Sequence, residues 1–256
     1  MSGMSLSIET LTERDIAKTI DHSLLRPELD DRFVEDGCRL AAEYDVASVC
    51  VRPADVRRAK AILDGTNVAI GTVIGFPHGN HLTATKVFEA RQALADGATE
   101  LDMVIQVGAL KSGRDAEVQS DIAAIVQVAH AAGAIVKVIF ENAYLTDDEK
   151  VRACRLSEAA GADFVKTSTG FAPGGATHDD LRLMRANSSP HIQVKAAGGV
   201  RTLDALLEVM ALGTTRIGAT ATKAIIDDFR ARKARTAHVA ASAGAAPTPV
   251  TSESGY

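Results

Sequence analysis

A chain of 256 residues with 46% hydrophobic content and a net charge of −5 is long enough to bury one sizeable core and fits a single globular domain. The acidic balance and an aromatic share of 4% argue against a nucleic-acid surface, and three scattered cysteines, Cys38, Cys50 and Cys154, exclude a disulfide framework or a cysteine-ligated metal cluster. No run of 18 apolar residues marks a membrane span, and the opening MSGMSLSIETLTERD lacks the apolar core of a signal peptide, so the expectation is a cytoplasmic enzyme acting on small molecules.

Taken in chain order, short apolar runs fall near residues 17–22, 46–51, 68–75, 99–105, 134–140, 163–166, 192–195 and 215–217. Helical patterns separate them. Val118, Ile122, Ile125 and Ala129 share one face after the fourth run, Thr146 and Glu149 make a capping box after the fifth, and Leu203, Leu206, Leu207 and Met210 share a face after the seventh. Eight strands alternating with helices predict an α/β protein with an all-parallel sheet, at this length a (β/α)8 TIM barrel rather than a doubly wound sheet. A dinucleotide-binding reading would need glycines after the first strand, and TIDHSLLRPE has none. The barrel is expected over residues 1–233. From about Ala234 the chain turns to Ala, Ser, Thr and Pro without an apolar period and reads as a flexible C-terminal tail over 234–256.

The dipeptide Val-Lys recurs, ending at Lys137, Lys166 and Lys195, 29 residues apart each time. That interval is one βα unit, so the lysines belong on adjacent strands about 4.8 Å apart. Three ammonium groups in apolar runs discourage each other's protonation, and burial adds to the effect, so a neutral nucleophilic amine is the first hypothesis. Alternation along ELDMVIQV turns Glu100 and Asp102 together into the lumen. Lys137 has three more strand residues after it and is expected deeper, as a paired supporting residue. Lys166 and Lys195 stand at the mouth opposite Asp102. Spacing leaves open which of the two is the nucleophile. The loops AAGGVRT (196–202) and RIGATAT (216–222) follow the seventh and eighth strands, where barrels often hold phosphate on backbone amides, so a phosphorylated substrate is expected. Asp21 is either a member of the lysine network or a turn former. Ser23 and Thr169 are candidates for substrate hydroxyls or for caps. Cys50 is a core residue placed where an aldehyde could meet it. His22 and His78 lack partners at ligand spacing, so no metal is expected.

These segments, with VCVRP (49–53), IGFPHG (74–79), GATELDMVIQVGALKSG (97–113), VKVIFE (136–141), DFVKTSTGF (163–171), GGATHDDLRLM (174–184) and VKAAGGVRT (194–202), resemble the deoxyribose-phosphate aldolases. The resemblance implies a class I aldolase on a (β/α)8 barrel. Its reaction would be the reversible cleavage of 2-deoxy-D-ribose 5-phosphate to acetaldehyde and D-glyceraldehyde 3-phosphate, in deoxyribose phosphate catabolism, without cofactor or metal. It puts the Schiff base on Lys166, the perturbing and proton-shuttling role on Lys195 and the acid/base carboxylate on Asp102. For phosphate it points to Gly170, Gly198, Gly199 and Gly218, with Thr220 and Arg201 nearby. Thr220 and Ala221 stand where many members carry Ser-Ser, Gln106 where Asn is frequent, Ala197 where Ser is frequent, and Phe171 where part of the family has Lys. The terminal Tyr256 matches a tail tyrosine of some members and would help protonate the enamine carbon. A homodimer is compatible with such a barrel, though no surface stripe demands one. Two alternatives are a lysine aldolase with a different donor and a non-catalytic phosphosugar-binding barrel.

Overall fold

In the computed structural model, residues 6–243 are described. Eight parallel strands close into one barrel in sequence order: β1 (Ile20–Leu24), β2 (Ser48–Val51), β3 (Ala69–Ile74), β4 (Glu100–Val104), β5 (Ile135–Ile139), β6 (Phe164–Lys166), β7 (Gln193–Ala197) and β8 (Thr214–Ala219). The helices are α1 (Glu13–Ala17), α2 (Asp31–Glu43), α3 (Val56–Leu63), α4 (Thr83–Ala95), α5 (Val107–Lys111), α6 (Asp115–Ala131), α7 (Asp147–Ala159), α8 (His178–Ala186), α9 (Leu203–Ala211) and α10 (Thr222–Ala243). Closure through the β1–β8 pairing leaves no free edge, which a doubly wound sheet would have.

The helical layer forms where the apolar period placed it. Val118, Ile122, Ile125 and Ala129 are fully buried along α6, and α7 opens with Glu149 accepting the Thr146 N–H at 2.8 Å while the Thr146 hydroxyl accepts from Glu149 N. Pleat alternation in β4 sends Leu101 and Met103 outward into the main apolar cluster and turns Glu100 and Asp102 inward. Among the described residues no helix is long and apolar enough to cross a membrane.

Two boundaries differ from the sequence expectation. The first apolar run mixes the buried end of α1, Ile16 and Ala17, with the start of β1, so the strand begins at Ile20, and Asp21 sits near its start rather than its end. At the other end α10 runs on to Ala243, into the segment read as tail, because an Ala-rich stretch is a strong helix former without an apolar stripe to announce it. Tyr256 lies outside the described residues.

Candidate active site

Strand register brings the charged residues together. Lys166 on β6 pairs with Lys195 on β7, Asp102 on β4 pairs with Lys137 on β5, and Lys137 in turn pairs with Phe164, two residues before Lys166. Lys137 is therefore a layer deeper than the other two lysines. All three, with Asp102 and Asp21, are buried.

The three amines differ in how many carboxylates they hold. Lys137 lies 2.6 Å from Glu100 Oε2, 3.0 Å from Asp102 Oδ1 and 3.5 Å from Asp21 Oδ2. Lys195 reaches Asp102 Oδ2 at 2.7 Å and touches Asp21 Oδ2 at 2.5 Å, the latter a charge contact outside hydrogen-bond alignment. Lys166 has one carboxylate, Asp102 Oδ2 at 2.6 Å, and that oxygen is the one Lys195 also uses. Arg216 completes the lower layer, with Nε 2.7 Å from Asp21 Oδ1 and Nη2 2.5 Å from Glu100 Oε2, while Ser48 donates to Asp21 Oδ1 at 2.8 Å. The network thus sets four cationic side chains against three carboxylates. One positive charge is surplus, and the least supported cation is Lys166.

Proton affinities follow. Burial pushes Lys166 below the ordinary lysine value, and although Asp102 resists, the Lys195 charge adds to the lowering. Burial acts the same way on Lys195 and Lys137, but Asp102 and Asp21, joined at Lys137 by Glu100, outweigh it and raise both. Burial alone would raise Asp102 and Asp21; the surrounding ammonium groups hold both well below the usual carboxylate range.

A cavity of about 350 Å³ lies over the pair. Its wall includes the strand residues Asp21, Ser23, Cys50, Lys166 and Lys195 together with Gly170, Gly198, Gly199, Arg201, Gly218 and Thr220. Lys137 and Asp102 are absent from that wall. The depths expected from the sequence agree with the strand register, and Lys166 differs from Lys195 in having no carboxylate besides the shared Asp102 oxygen. Cys50 faces the cavity as a thiol, pushed up to about 11 by burial and by Asp102. His22 Nδ1 lies 2.8 Å from Thr222 Oγ1, and burial takes its pKa down to about 4. Thr169 lines the cavity, and its backbone N–H and hydroxyl both donate to Glu141.

The glycine loops are shaped by close backbone approach. Gly198 and Gly199 adopt φ of 83° and 95°, and a Cβ on Gly198 would stand 2.9 Å from Gly175 Cα. Ala176 N donates to the carbonyls of Ala197 and Gly198 at 3.0 and 3.1 Å, so the segment GGAT braces the loop after β7.

With that geometry in place, comparison with known proteins is informative. The profile of the DeoC/LacD family aldolases matches residues 16–244. The chain belongs to this family. A deoxyribose-phosphate aldolase of Rhodopirellula baltica is 50% identical over 216 residues, covering 84% of this chain and 90% of that protein, and one of Bacillus cytotoxicus is 52% identical over 212 residues, covering 83% and 95%. Among solved structures, the deoxyribose phosphate aldolase of Aeropyrum pernix, described as a unique tetramer, superposes with a TM-score of 0.80 at 30% identity over 86% of this chain and 93% of that one.

Sequence reasoning missed two supports of this aldolase site. Arg216 stood in a motif read only as a phosphate loop, although it is the inward-facing residue of β8 that clamps Asp21 to Glu100; its alternation with Ile217 was the available signal. Gly175 was quoted within a motif and given no role, because a brace between two loops leaves no periodic trace.

Proposed function

We propose that the protein cleaves 2-deoxy-D-ribose 5-phosphate reversibly to acetaldehyde and D-glyceraldehyde 3-phosphate through a Schiff base on Lys166, in cytoplasmic deoxyribose phosphate catabolism. The observation that carries this reading is the sharing of one Asp102 oxygen between Lys166 and Lys195 beneath a cavity that Lys166 lines. An amine with half a counter-ion and a cationic neighbour gives up its proton most readily, and the open wall lets a carbonyl reach it.

Neutral Lys166 Nζ attacks C1 of the open-chain aldehyde, and loss of water from the carbinolamine leaves an iminium. Two carbons leave as acetaldehyde, so the bond that breaks is C2–C3. Its electron pair flows into the iminium to give an enamine, the C3 hydroxyl loses its proton, and the new carbonyl departs as glyceraldehyde phosphate. Lys195, at the cavity wall and hydrogen-bonded to the same Asp102 oxygen as Lys166, relays that proton by passing one of its own to Asp102 as it accepts, and returns one to the enamine carbon before water hydrolyses the imine. The iminium itself is the electron sink, so the scheme draws on no metal or cofactor. Gly170, Gly198, Gly199 and Gly218, with Arg201 and Thr220, all in the cavity wall, would hold the phosphate.

The test is mass spectrometry after treatment with acetaldehyde and borohydride, followed by peptide mapping. One ethyl group on Lys166 is the expected result. An ethyl group on Lys195 or Lys137 would move the nucleophile, a trapped keto-acid donor in place of acetaldehyde would indicate a different lysine aldolase, and no adduct at all would leave a phosphosugar-binding barrel.

A further inference from the structure

Two residues past the end of β5, Glu141 stands in the left-handed region, at φ 58°, a conformation that costs a glutamate and that must be held by its surroundings. Its carboxylate is buried. Unlike Asp102, whose hydrogen bonds come from three ammonium groups, Glu141 takes its hydrogen bonds from one residue: Thr169 donates its N–H to Oε2 at 3.2 Å and its hydroxyl to the same oxygen. Because that hydroxyl spends its proton on Glu141, its lone pairs are free to accept, and Phe171 N donates to Thr169 Oγ1 at 3.0 Å. The chain of bonds Phe171, Thr169, Glu141 brackets Gly170, which sits at φ 86° in the cavity wall. A second tie joins the same segments, with Asn142 N donating to Thr167 O at 2.9 Å.

We propose that Glu141 is a positioning residue for the substrate's phosphate. Its acceptor oxygen fixes the direction of the Thr169 hydroxyl, the hydroxyl fixes the turn through Phe171, and the turn presents the Gly170 backbone to the cavity. The inference rests on the phosphate reading given above and adds a specificity determinant outside the cavity wall. A neutral carboxamide at 141 can turn its NH2 toward the hydroxyl, which reverses the polarity of the chain and competes with the Phe171 N–H.

The experiment compares kcat/KM for 2-deoxyribose 5-phosphate with kcat/KM for unphosphorylated 2-deoxyribose in the full-length wild type and in Glu141→Gln, Thr169→Val and Thr169→Ser. The ratio of the two should fall about tenfold in Glu141→Gln and Thr169→Val, through KM for the phosphorylated sugar, as expected for one charge-assisted hydrogen-bond chain. Thr169→Ser keeps the hydroxyl and should keep the ratio. If Glu141→Gln misfolds, Thr169→Val carries the test, with 2-deoxyribose turnover reporting an intact lysine site. A ratio unchanged in Thr169→Val, or equal losses on both sugars, overturns the proposal. A wild type that shows no preference for the phosphorylated sugar instead overturns the phosphate reading itself.

Discussion

Two buried lysines in this barrel illustrate what makes an amine a reagent. Lys86, on α4, is fully buried between α4 and α6, with Nζ 2.5 Å from Asp121 Oδ2 and 2.8 Å from the Val104 carbonyl, while Thr83 supplies the other oxygen of Asp121 with a hydrogen bond at 2.7 Å. Lys166 is almost as buried and holds a shared oxygen of Asp102. Burial pushes both below the ordinary lysine value. Lys86 nevertheless has a carboxylate of its own, no cation among the forces acting on it, and Gly75 packed so tightly on its stem that a Cβ there would stand 2.7 Å from Lys86 Cε. A lowered proton affinity is therefore not sufficient. On the proposed mechanism, reactivity needs a starved counter-ion and an open wall together, a combination found at Lys166, at the end of β6.

The sharpest way to break the comparison is to remove each amine in turn. Lys166→Met should abolish turnover, by at least about 10^4-fold in kcat, and remove the borohydride-trapped adduct. It should also stabilise the protein. Lys166 has a folded-state pKa below its unfolded value, so carrying it costs stability; the cost is full below the folded pKa and fades as pH rises toward the ordinary lysine value. Replacing such a group by an apolar chain of similar length is worth roughly 1–3 kcal/mol, a rise of roughly 2–10 °C in Tm at neutral pH that narrows toward alkaline pH. Lys86→Met should do the reverse, leaving kcat near the wild-type value while the orphaned Asp121 lowers stability by about 3–5 kcal/mol. Thermal melts beside steady-state kinetics decide it. A destabilised Lys166→Met protein, or an inactive but well folded Lys86→Met protein, would show that the two lysines are not the opposites described here.

How much of this contrast could be read from the chain depends on periodicity. The Val-Lys spacing of 29 residues located the lysine strands because βα units repeat, and the apolar residues that follow Lys137 in its strand gave its greater depth. The same reasoning turned Glu100 and Asp102 inward. It was blind to Lys86, which in TATKVFEA looks like an ordinary exposed helix residue; its burial depends on Asp121, 35 positions away on another helix, and no local pattern encodes that pairing. Arg216 was overlooked because its motif was read only as a phosphate loop, and the continuation of α10 to Ala243 because helix propensity without amphipathicity leaves no stripe. What period encodes was legible, and what distant pairing encodes was not.

A milder test keeps Lys166 and removes the neighbour that starves it. Lys195→Met deletes the cation that helps lower Lys166 and leaves Asp102 Oδ2 to Lys166 alone. Both changes raise the proton affinity of Lys166. Activity requires the unprotonated amine, so the rate rises with pH through the Lys166 pKa, and that limb of the kcat/KM profile should move to higher pH by about one unit or more, with a loss of about 10^2-fold or more near neutrality. The shift of the limb separates this role from simple loss of a proton carrier, which would lower the profile without moving it. A profile lowered in place would sink the electrostatic account of Lys195 and leave it a shuttle only.

The smallest expected effect comes from a cation that is paired, half-buried and near the cavity without touching its chemistry. Arg52 holds Asp55 Oδ2 at 2.6 Å, and its Nη1 donates to the carbonyls of Arg26, Pro27 and Leu29 at 3.3, 3.1 and 2.9 Å. Those carbonyls belong to the loop after β1 that brings Leu25, Arg26 and Leu29 to the cavity wall. Arg52→Met keeps the stem and loses the donors, so the loop should sample more conformations while the lysine network stays as it is. KM for the sugar phosphate should then rise by roughly threefold to tenfold, about 1 kcal/mol, with kcat within about twofold and the pH limb in place. Arg52→Lys should recover little of this, because one ammonium on a flexible stem cannot reach a carboxylate and three carbonyls at once. If kcat or the limb moved with KM, the layer of loops and the layer of lysines would be coupled, and the separation of binding wall from charged floor on which the comparison of Lys86 and Lys166 depends would have to be redrawn.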